Sequence, residues 1–335
     1  MKIILAALLS LCATTAIAAP SYKPAGAVPL GSPERWDYAV VDPATGRVYV
    51  AHGDKETVID GRAGKVVGDI EGIAGGTHGA AISSATGQGF ADDGRGGLAV
   101  VFDLKTLKVT KQIKAEPDAD GIAFYRPNGH VFIIDGDPGK VTVIDPKSDT
   151  VVATIAVGEK LEYGFGGDGA MFVAGEEKGD LVKIDPRSNK VLAHWPAADC
   201  MSPHGLTVDE RGHRAFLGCA NAKMVVLDTR TGKVVADLPI GRGNDAMAFD
   251  PVRKRVFSSN GRDGTITVYQ EVTPDKFVAL EDVKTLPSGR TMDVDPVTGR
   301  LFVVAADLDP ASPAGQRPRM LAGSARLLMY DPVRP

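Results

Sequence analysis

The sequence predicts an all-β, seven-bladed β-propeller with four-stranded blades, its ring closed by the N-terminal strand joining the last blade. Three observations carry that prediction: a turn motif that recurs seven times, a second motif with the same period, and two complementary chain ends. The turn motif is a hydrophobic pair, a turn and another hydrophobic pair. It stands as Val41-Asp42-Pro43-Ala44-Thr45-Gly46-Arg47-Val48-Tyr49-Val50 and returns as Val294-Asp295-Pro296-Val297-Thr298-Gly299-Arg300-Leu301-Phe302-Val303. Weaker copies turn at Gly87, Gly129, Gly169, Gly212 and Lys254, at successive spacings of 41, 42, 40, 43, 42 and 45 residues from Gly46 to Gly299. The second motif, Val58-Ile59-Asp60, is echoed at Val101-Phe102-Asp103, Val143-Ile144-Asp145, Lys183-Ile184-Asp185, Val226-Leu227-Asp228, Val268-Tyr269-Gln270 and Met329-Tyr330-Asp331. Two anchors sharing one period define a repeat of about forty residues.

Turn signals divide each unit into four short strands. In the first unit they fall at roughly Tyr38–Val41, Val48–Ala51, Thr57–Ile59 and Lys65–Ile70. Asp-Pro-x-x-Gly between the first two supplies a turn-initiating Asp, a Pro with preset φ and a Gly able to take positive φ. An Asp-x-x-x-Gly-Lys turn follows the third strand, as in Asp228-Thr229-Arg230-Thr231-Gly232-Lys233. A lone four-stranded sheet cannot bury both faces, whereas seven arranged radially can. The last repeat stops after its third strand, at Asp331. Near the other end, Val28-Pro29-Leu30-Gly31 resembles the fourth-strand segment Leu238-Pro239-Ile240-Gly241. The N-terminal segment is therefore expected to supply the missing outer strand, pairing near Leu327–Tyr330. The one long interval comes from Asp307 to Gly323, a Pro- and Ala-rich loop carrying Arg317 and Arg319 that is expected to be the most individual surface feature.

The chain begins with Lys2, an apolar run from Ile3 to Leu11 and the small-residue end Ala16-Ile17-Ala18. This reads as a secretory signal peptide over residues 1–18, leaving 19–335 as the propeller and placing it in the periplasm or outside the cell. No later segment is apolar enough to span a bilayer. A formal net charge of −4 gives no electrostatic reason to expect nucleic acid as a partner, although a local basic patch remains compatible with it.

The string hydrophobic-Asp-Pro-x-x-Gly-x-aromatic-Val, followed by Val-x-Val-Ile-Asp, resembles the YVTN-repeat (YncE-like) β-propeller family. Its eponymous strand stands here as Tyr49-Val50-Ala51-His52 and Phe257-Ser258-Ser259-Asn260. Cys200 to Asn221 and Pro239-Ile240-Gly241-x-x-x-Asp245-Ala246 resemble a bacterial exported branch. The resemblance spans nearly all of the chain after the signal segment and implies the propeller fold. It implies little about activity, because one fold hosts many functions.

In a propeller the first strand of each blade lines the central channel, so the residues that begin those strands surround one mouth. One ring reads Tyr38, His78, Asp120, Tyr163, His204, Asp245 and Thr291. The ring before it reads Asp37, Thr77, Ala119, Glu162, Pro203, Asn244 and Arg290. Asp37, His78, Asp120, Glu162, His204, Asn244, Asp245 and Arg290 are the candidate ligand-binding set. They can hold a metal ion or orient a carboxylated or sugar-like ligand, or they can simply bind water in a wet pore. Arg290 is the only cation of the two rings beyond the histidines, so carboxylates of neighbouring blades or an anionic ligand are expected to hold it. No HExxH pair, EF-hand loop or P-loop occurs. A metal and a cofactor are left unassigned.

Beyond the signal segment only Cys200 and Cys219 remain, an even count for an oxidising compartment. The hairpin turn lies midway between them, so they face each other across adjacent strands and are expected to form a disulfide. A thiolate site with His204 competes with that reading. His52 ends a second strand and is read mainly as part of strand termination. The leading functional expectation is a binding or interaction platform for a protein or small ligand. One alternative is a metal-dependent channel-mouth enzyme of lactonase or lyase type, for which Glu162, His204 and Asn244 supply suitable residue types. Another is a non-haem subunit of an exported redox complex.

Overall fold

The computed structural model describes residues 21–313, 316 and 318–333, so the expected signal segment and Arg317 lie outside the described residues. Strand β1 is Tyr22–Pro29. Blade one is β2 (Ala39–Asp42), β3 (Arg47–His52), β4 (Lys55–Asp60) and β5 (Lys65–Ile70). Blade two is β6 (Ala80–Ser83), β7 (Gln88–Asp93), β8 (Leu98–Asp103) and β9 (Val109–Lys114). Blade three is β10 (Ala119–Tyr125), β11 (His130–Asp135), β12 (Lys140–Asp145) and β13 (Thr150–Ala156). Blade four is β14 (Leu161–Gly167), β15 (Ala170–Gly175), β16 (Asp180–Asp185) and β17 (Lys190–Pro196). Blade five is β18 (Pro203–Asp209), β19 (Arg214–Cys219), β20 (Lys223–Asp228) and β21 (Val234–Pro239). Blade six is β22 (Asn244–Asp250), β23 (Arg255–Asn260), β24 (Thr265–Thr273) and β25 (Lys276–Lys284). Blade seven is β26 (Thr291–Val294), β27 (Leu301–Ala305) and β28 (Arg326–Pro332), completed by β1. The expected seven-bladed, all-β ring is what forms.

The repeat folds this way for reasons visible in its side chains. The second strand of every blade carries one aromatic residue at the same register: Tyr49, Phe90, Phe132, Phe172, Phe216, Phe257 and Phe302. Each is at most 2% exposed. They sit among the apolar clusters that join facing blades, so burial between neighbours is what turns seven marginal sheets into one body. The turn aspartates hold the corners: Asp42 accepts from the Ala44 amide at 3.1 Å, and Asp228 from the Arg230 and Thr231 amides at 3.0 Å. The left-handed residue of the first turn is Gly46, Gly87, Gly129, Gly169, Lys254 or Gly299 in six blades, as the motif implies. In blade five it is His213 (φ 57°) and not Gly212. His213 tolerates it because Asp168 of blade four holds its Nδ1 at 2.9 Å. Gly212 is needed for space instead, since a Cβ there would lie 2.3 Å from Asp209 Oδ2.

Strand β1 pairs antiparallel with β28, Val28 opposite Leu327 and Tyr22 opposite Pro332, so the chain's N-terminal strand closes the ring as expected. Glu281 of blade six reinforces the closure. Its Oε1 accepts from the Ser21 amide and hydroxyl, each at 2.6 Å, and from the Tyr22 amide at 2.9 Å. The long 307–323 loop connects β27 to β28. A bridge between Leu308 and Met320 and an Asp309–Arg319 ion pair at 3.0 Å order its described part. Met320 packs against the cluster containing Trp36, and the Gly323 amide donates to Glu34.

Candidate functional site

Tyr38 stands just before β2 of blade one and Tyr163 lies on β14 of blade four, three blades away. Their rings nevertheless meet, centroids 4.3 Å apart and planes tilted by 36°. Because those blades are not neighbours, the contact crosses the ring axis. The two rings thus occupy space near the axis, inside the mouth residues that make up the cup.

The cup's polar residues share one structural origin. The pairing of first and second strands skips register between Ala119 and Gly121, Leu161 and Gly164, Pro203 and Leu206, and Asn244 and Met247. The skipped residues include Asp120, Glu162, Tyr163, His204 and Asp245. A β-bulge frees a residue from the ladder and re-aims its side chain, and here four successive blades use it at the mouth.

Arg290 links three blades at the rim. It donates through Nη1 to Asp245 and through Nη2 to the Trp36 carbonyl at 2.7 Å and to Asp37 at 3.4 Å. Desolvation works against its charge, but Asp245 and Asp37 hold the guanidinium firmly protonated. Of the two partners expected for Arg290, neighbouring carboxylates or an anionic ligand, the carboxylates of Asp245 and Asp37 lie against it here. Asp37 is pushed up to about 6 by burial, against the pull of Arg290.

His78 belongs to a separate pair. Asp92, fully buried, accepts from His78 Nδ1 at 2.8 Å and from the His78 amide at 3.0 Å. Burial opposes the imidazolium, yet the Asp92 hydrogen bond and charge outweigh it and raise His78 to about 9. Beside it, burial lifts Asp120 to about 6, partly offset by His78. Asp92 is not legible as a site residue from the ends of the second strands, where His52 stands in blade one and Asp93 in blade two. Period-two alternation turns the preceding residue to the other face, which is the signal that finds it.

On the opposite wall, Glu162, His204 and Asp245 converge, with one ligand atom from each within 4.8 Å of the others. His204 Nδ1 lies 3.7 Å from Asp245 Oδ1 and is buried without a hydrogen-bond partner among the described residues. Its Nε2 lies 3.4 Å from Ser202 Oγ and 3.8 Å from Glu176 Oε1. Burial, and then the charges of Asp245, Asp120 and Asp37, push Glu162 well above the usual carboxylate range. Glu162 therefore lacks a compensating cation, whereas Asp245 is paired with Arg290. Beside the group, the Asn244 amide nitrogen donates to Ser258 Oγ at 2.9 Å and to the Ala246 carbonyl at 3.0 Å within blade six, while its Oδ1 is buried without a partner among the described residues. Asp245, the next residue, takes the place that residue type had suggested for Asn244.

Cys200 and Cys219 form the expected disulfide, with Cα atoms 5.2 Å apart. It fixes the segment carrying Ser202 and His204 to the end of β19. His52 is fully buried, its ring nitrogens 3.1 Å from Thr57 Oγ1 and 2.6 Å from the Pro33 carbonyl, so it serves packing in blade one. A second acidic group, absent from the sequence reading, occupies blade four: His194 Nδ1 lies 2.9 Å from Glu159 and 3.0 Å from Asp180. These residues are distant in sequence and share no motif, so no local pattern announced them.

No protein-family model matches the chain, and no curated protein does. Solved structures share its fold. A chain titled Kuenenia stuttgartiensis hydrazine synthase is 15% identical, with a TM-score of 0.70, over 79% of this chain and 91% of its own. The structure titled U3-55K is 14% identical, with a TM-score of 0.76, over 95% of this chain and 100% of its own. The RRP9 WD40 repeats are likewise 14% identical, with a TM-score of 0.76, over 96% and 99%. At such identities the similarity is one of architecture: a seven-bladed propeller.

Proposed function

We propose that the chain is an exported binding platform of the YVTN-repeat type whose channel mouth captures a divalent metal ion, alone or carried by a small ligand. The observation that carries this reading is the convergence of Glu162, His204 and Asp245. One imidazole and two carboxylates suit a first-row divalent ion. Three further features support it. His204 Nδ1 has no hydrogen-bond partner among the described residues, Glu162 is disfavoured as an anion, and Asp245 and Glu162 are re-aimed by β-bulges toward His204. A cation placed there supplies the charge that Glu162 lacks. The rigid ring and its many loops provide the surrounding recognition surface, for a protein or a small molecule.

Calorimetric titration of the metal-stripped chain with zinc or manganese chloride tests this. One saturable site is expected, weakened at least tenfold by Glu162→Gln or His204→Ala. Unchanged binding in both variants would refute it.

The nearness of Arg290 to Asp245 favours a second reading, a metal-dependent hydrolase of lactonase type. An ion would polarise a carbonyl while the guanidinium holds an anionic substrate group. Metal-dependent turnover of lactone substrates, lost in Glu162→Gln, separates it from a pure binding role.

A further inference from the structure

Blade four departs from the repeat where its third strand begins. The residue there, opposite the last residue of the second strand, is a cation in four other blades: Lys55, Lys140, Lys223 and Arg326. Each meets an acid: Asp69 at 2.8 Å, Glu116 at 3.0 Å, Asp237 at 2.8 Å and Asp307. In blade four the same place holds Asp180, opposite Gly175. The fourth-strand position that carries Asp69 in blade one and Asp237 in blade five carries His194. The acid and the base of the pair have therefore changed places. Glu159, from the connection between β13 and β14, adds a second carboxylate to the group.

Both carboxylates are 4% exposed, and Asp180 Oδ1 is buried without a hydrogen-bond partner among the described residues. Gly175 permits their approach: a Cβ there would lie 2.0 Å from Asp180 Oδ1 and 2.7 Å from Glu159 Oε2. His194 Nδ1 stands 3.0 Å from Asp180 Oδ2 and 2.9 Å from Glu159 Oε1. It carries at most one hydrogen, and only the Asp180 contact has the geometry of a hydrogen bond. A metal ion in place of that proton serves both oxygens. With bonds of about 2.1 Å, ligand atoms at right angles around a first-row ion lie about 3.0 Å apart, which matches these edges. Lys178 is the rival cation. Its Nζ lies 3.4 Å from Glu159 Oε1 on an exposed side chain, and its amide donates to Glu159 Oε2 at 3.3 Å.

We propose that Glu159, Asp180 and His194 form a second divalent-metal site, separate from the cup, for zinc or a similar first-row ion with water completing its coordination. His194 is exposed, so the site opens to solvent. An ion here clamps the outer strand β17 to β16 and to the connection between blades three and four. The disulfide ties the next connection to β19 in the same manner. Lys178 must leave Glu159 before the ion enters, so this site fills after the cup.

Zinc chloride titrated into the metal-stripped His204→Ala chain, whose cup has lost its imidazole, tests the site whether or not the cup binds metal. One saturable step is expected, with a rise in melting temperature at saturating zinc. Adding His194→Ala or Asp180→Asn should weaken the step at least tenfold and abolish the rise. Adding Lys178→Ala should tighten it at least threefold by removing the rival cation. Magnesium, which prefers oxygen ligands and water, should bind at least tenfold more weakly than zinc. Circular dichroism of each variant verifies that the fold is retained. Zinc binding that disappears with His204→Ala alone would leave the cup standing and overturn this second site. Affinity unchanged by both His194→Ala and Asp180→Asn, or equal affinity for magnesium, would also overturn it.

Discussion

Tyr38 and Tyr163 touch across the axis of the ring, their centroids 4.3 Å apart, although two blades lie between them in sequence. That contact packs two aromatic rings from non-adjacent blades against each other near the axis. The Tyr38 hydroxyl is buried without a hydrogen-bond partner among the described residues. Tyr38→Phe should therefore be neutral or slightly stabilising, since it removes an unsatisfied polar atom. Tyr38→Ala should cost about 3–5 kcal/mol, the usual loss for a buried aromatic side chain. Urea denaturation of both variants checks the pair. Equal losses would mean that the hydroxyl, and not the ring contact, matters.

Ring closure depends on β1. Val28 is 3% exposed and lies opposite Leu327. Val28→Asp would bury an unpaired charge there, so a destabilisation of several kcal/mol is expected. A melting temperature like that of the parent chain would contradict the closure.

The disulfide between Cys200 and Cys219 closes a short loop, for which about 3 kcal/mol of stabilisation is expected. Cys200→Ser paired with Cys219→Ser should lower stability by about that amount. It should also weaken metal binding, because the bridge holds the segment carrying His204. Intact mass with and without reduction and alkylation verifies the bond, and denaturation measures its contribution.

His78 gains its proton affinity from Asp92, and the sign of the consequence is fixed. Its folded pKa of about 9 lies above the ordinary value of 6.5, so its contribution is complete below about pH 6.5. That contribution is lost as pH rises through about 9. Asp92→Asn should remove most of this dependence, flattening stability between those limits. Urea midpoints measured at several pH values test it, and an unaltered slope in the variant would rule out the pair as its source.

The parts of this protein that repeat were legible, and the parts that break the repeat were not. Seven aromatic residues from Tyr49 to Phe302 keep one register because each fills the same space between blades. The mouth residues were found by aligning strand starts, which needs only the period. What alignment could not supply was orientation. The bulge between Asn244 and Met247 decides that Asp245 faces the cup while Asn244 bonds within its blade, and a bulge has no reliable one-residue signature. The same limit explains the blade-five corner, where His213 and not Gly212 takes the left-handed conformation because Asp168 from another blade supports it. The Tyr38–Tyr163 contact joins residues 125 positions apart and leaves no trace in either neighbourhood.

Protons and metal should compete at Glu162. Burial and neighbouring carboxylates hold it above the usual carboxylate range, so a bound ion must displace a proton. Metal affinity should rise with pH, with proton release detectable by calorimetry in buffers of different ionisation enthalpy. Affinity that does not change with pH would exclude Glu162 as a ligand.

The location of a bound ion tests the central claim most directly. Crystals of the chain grown or soaked with zinc chloride, measured on both sides of the zinc absorption edge, should give an anomalous peak among Glu162, His204 and Asp245. A peak only at the Glu159, Asp180 and His194 group of blade four, or none at the cup in crystals that contain zinc, would contradict the account.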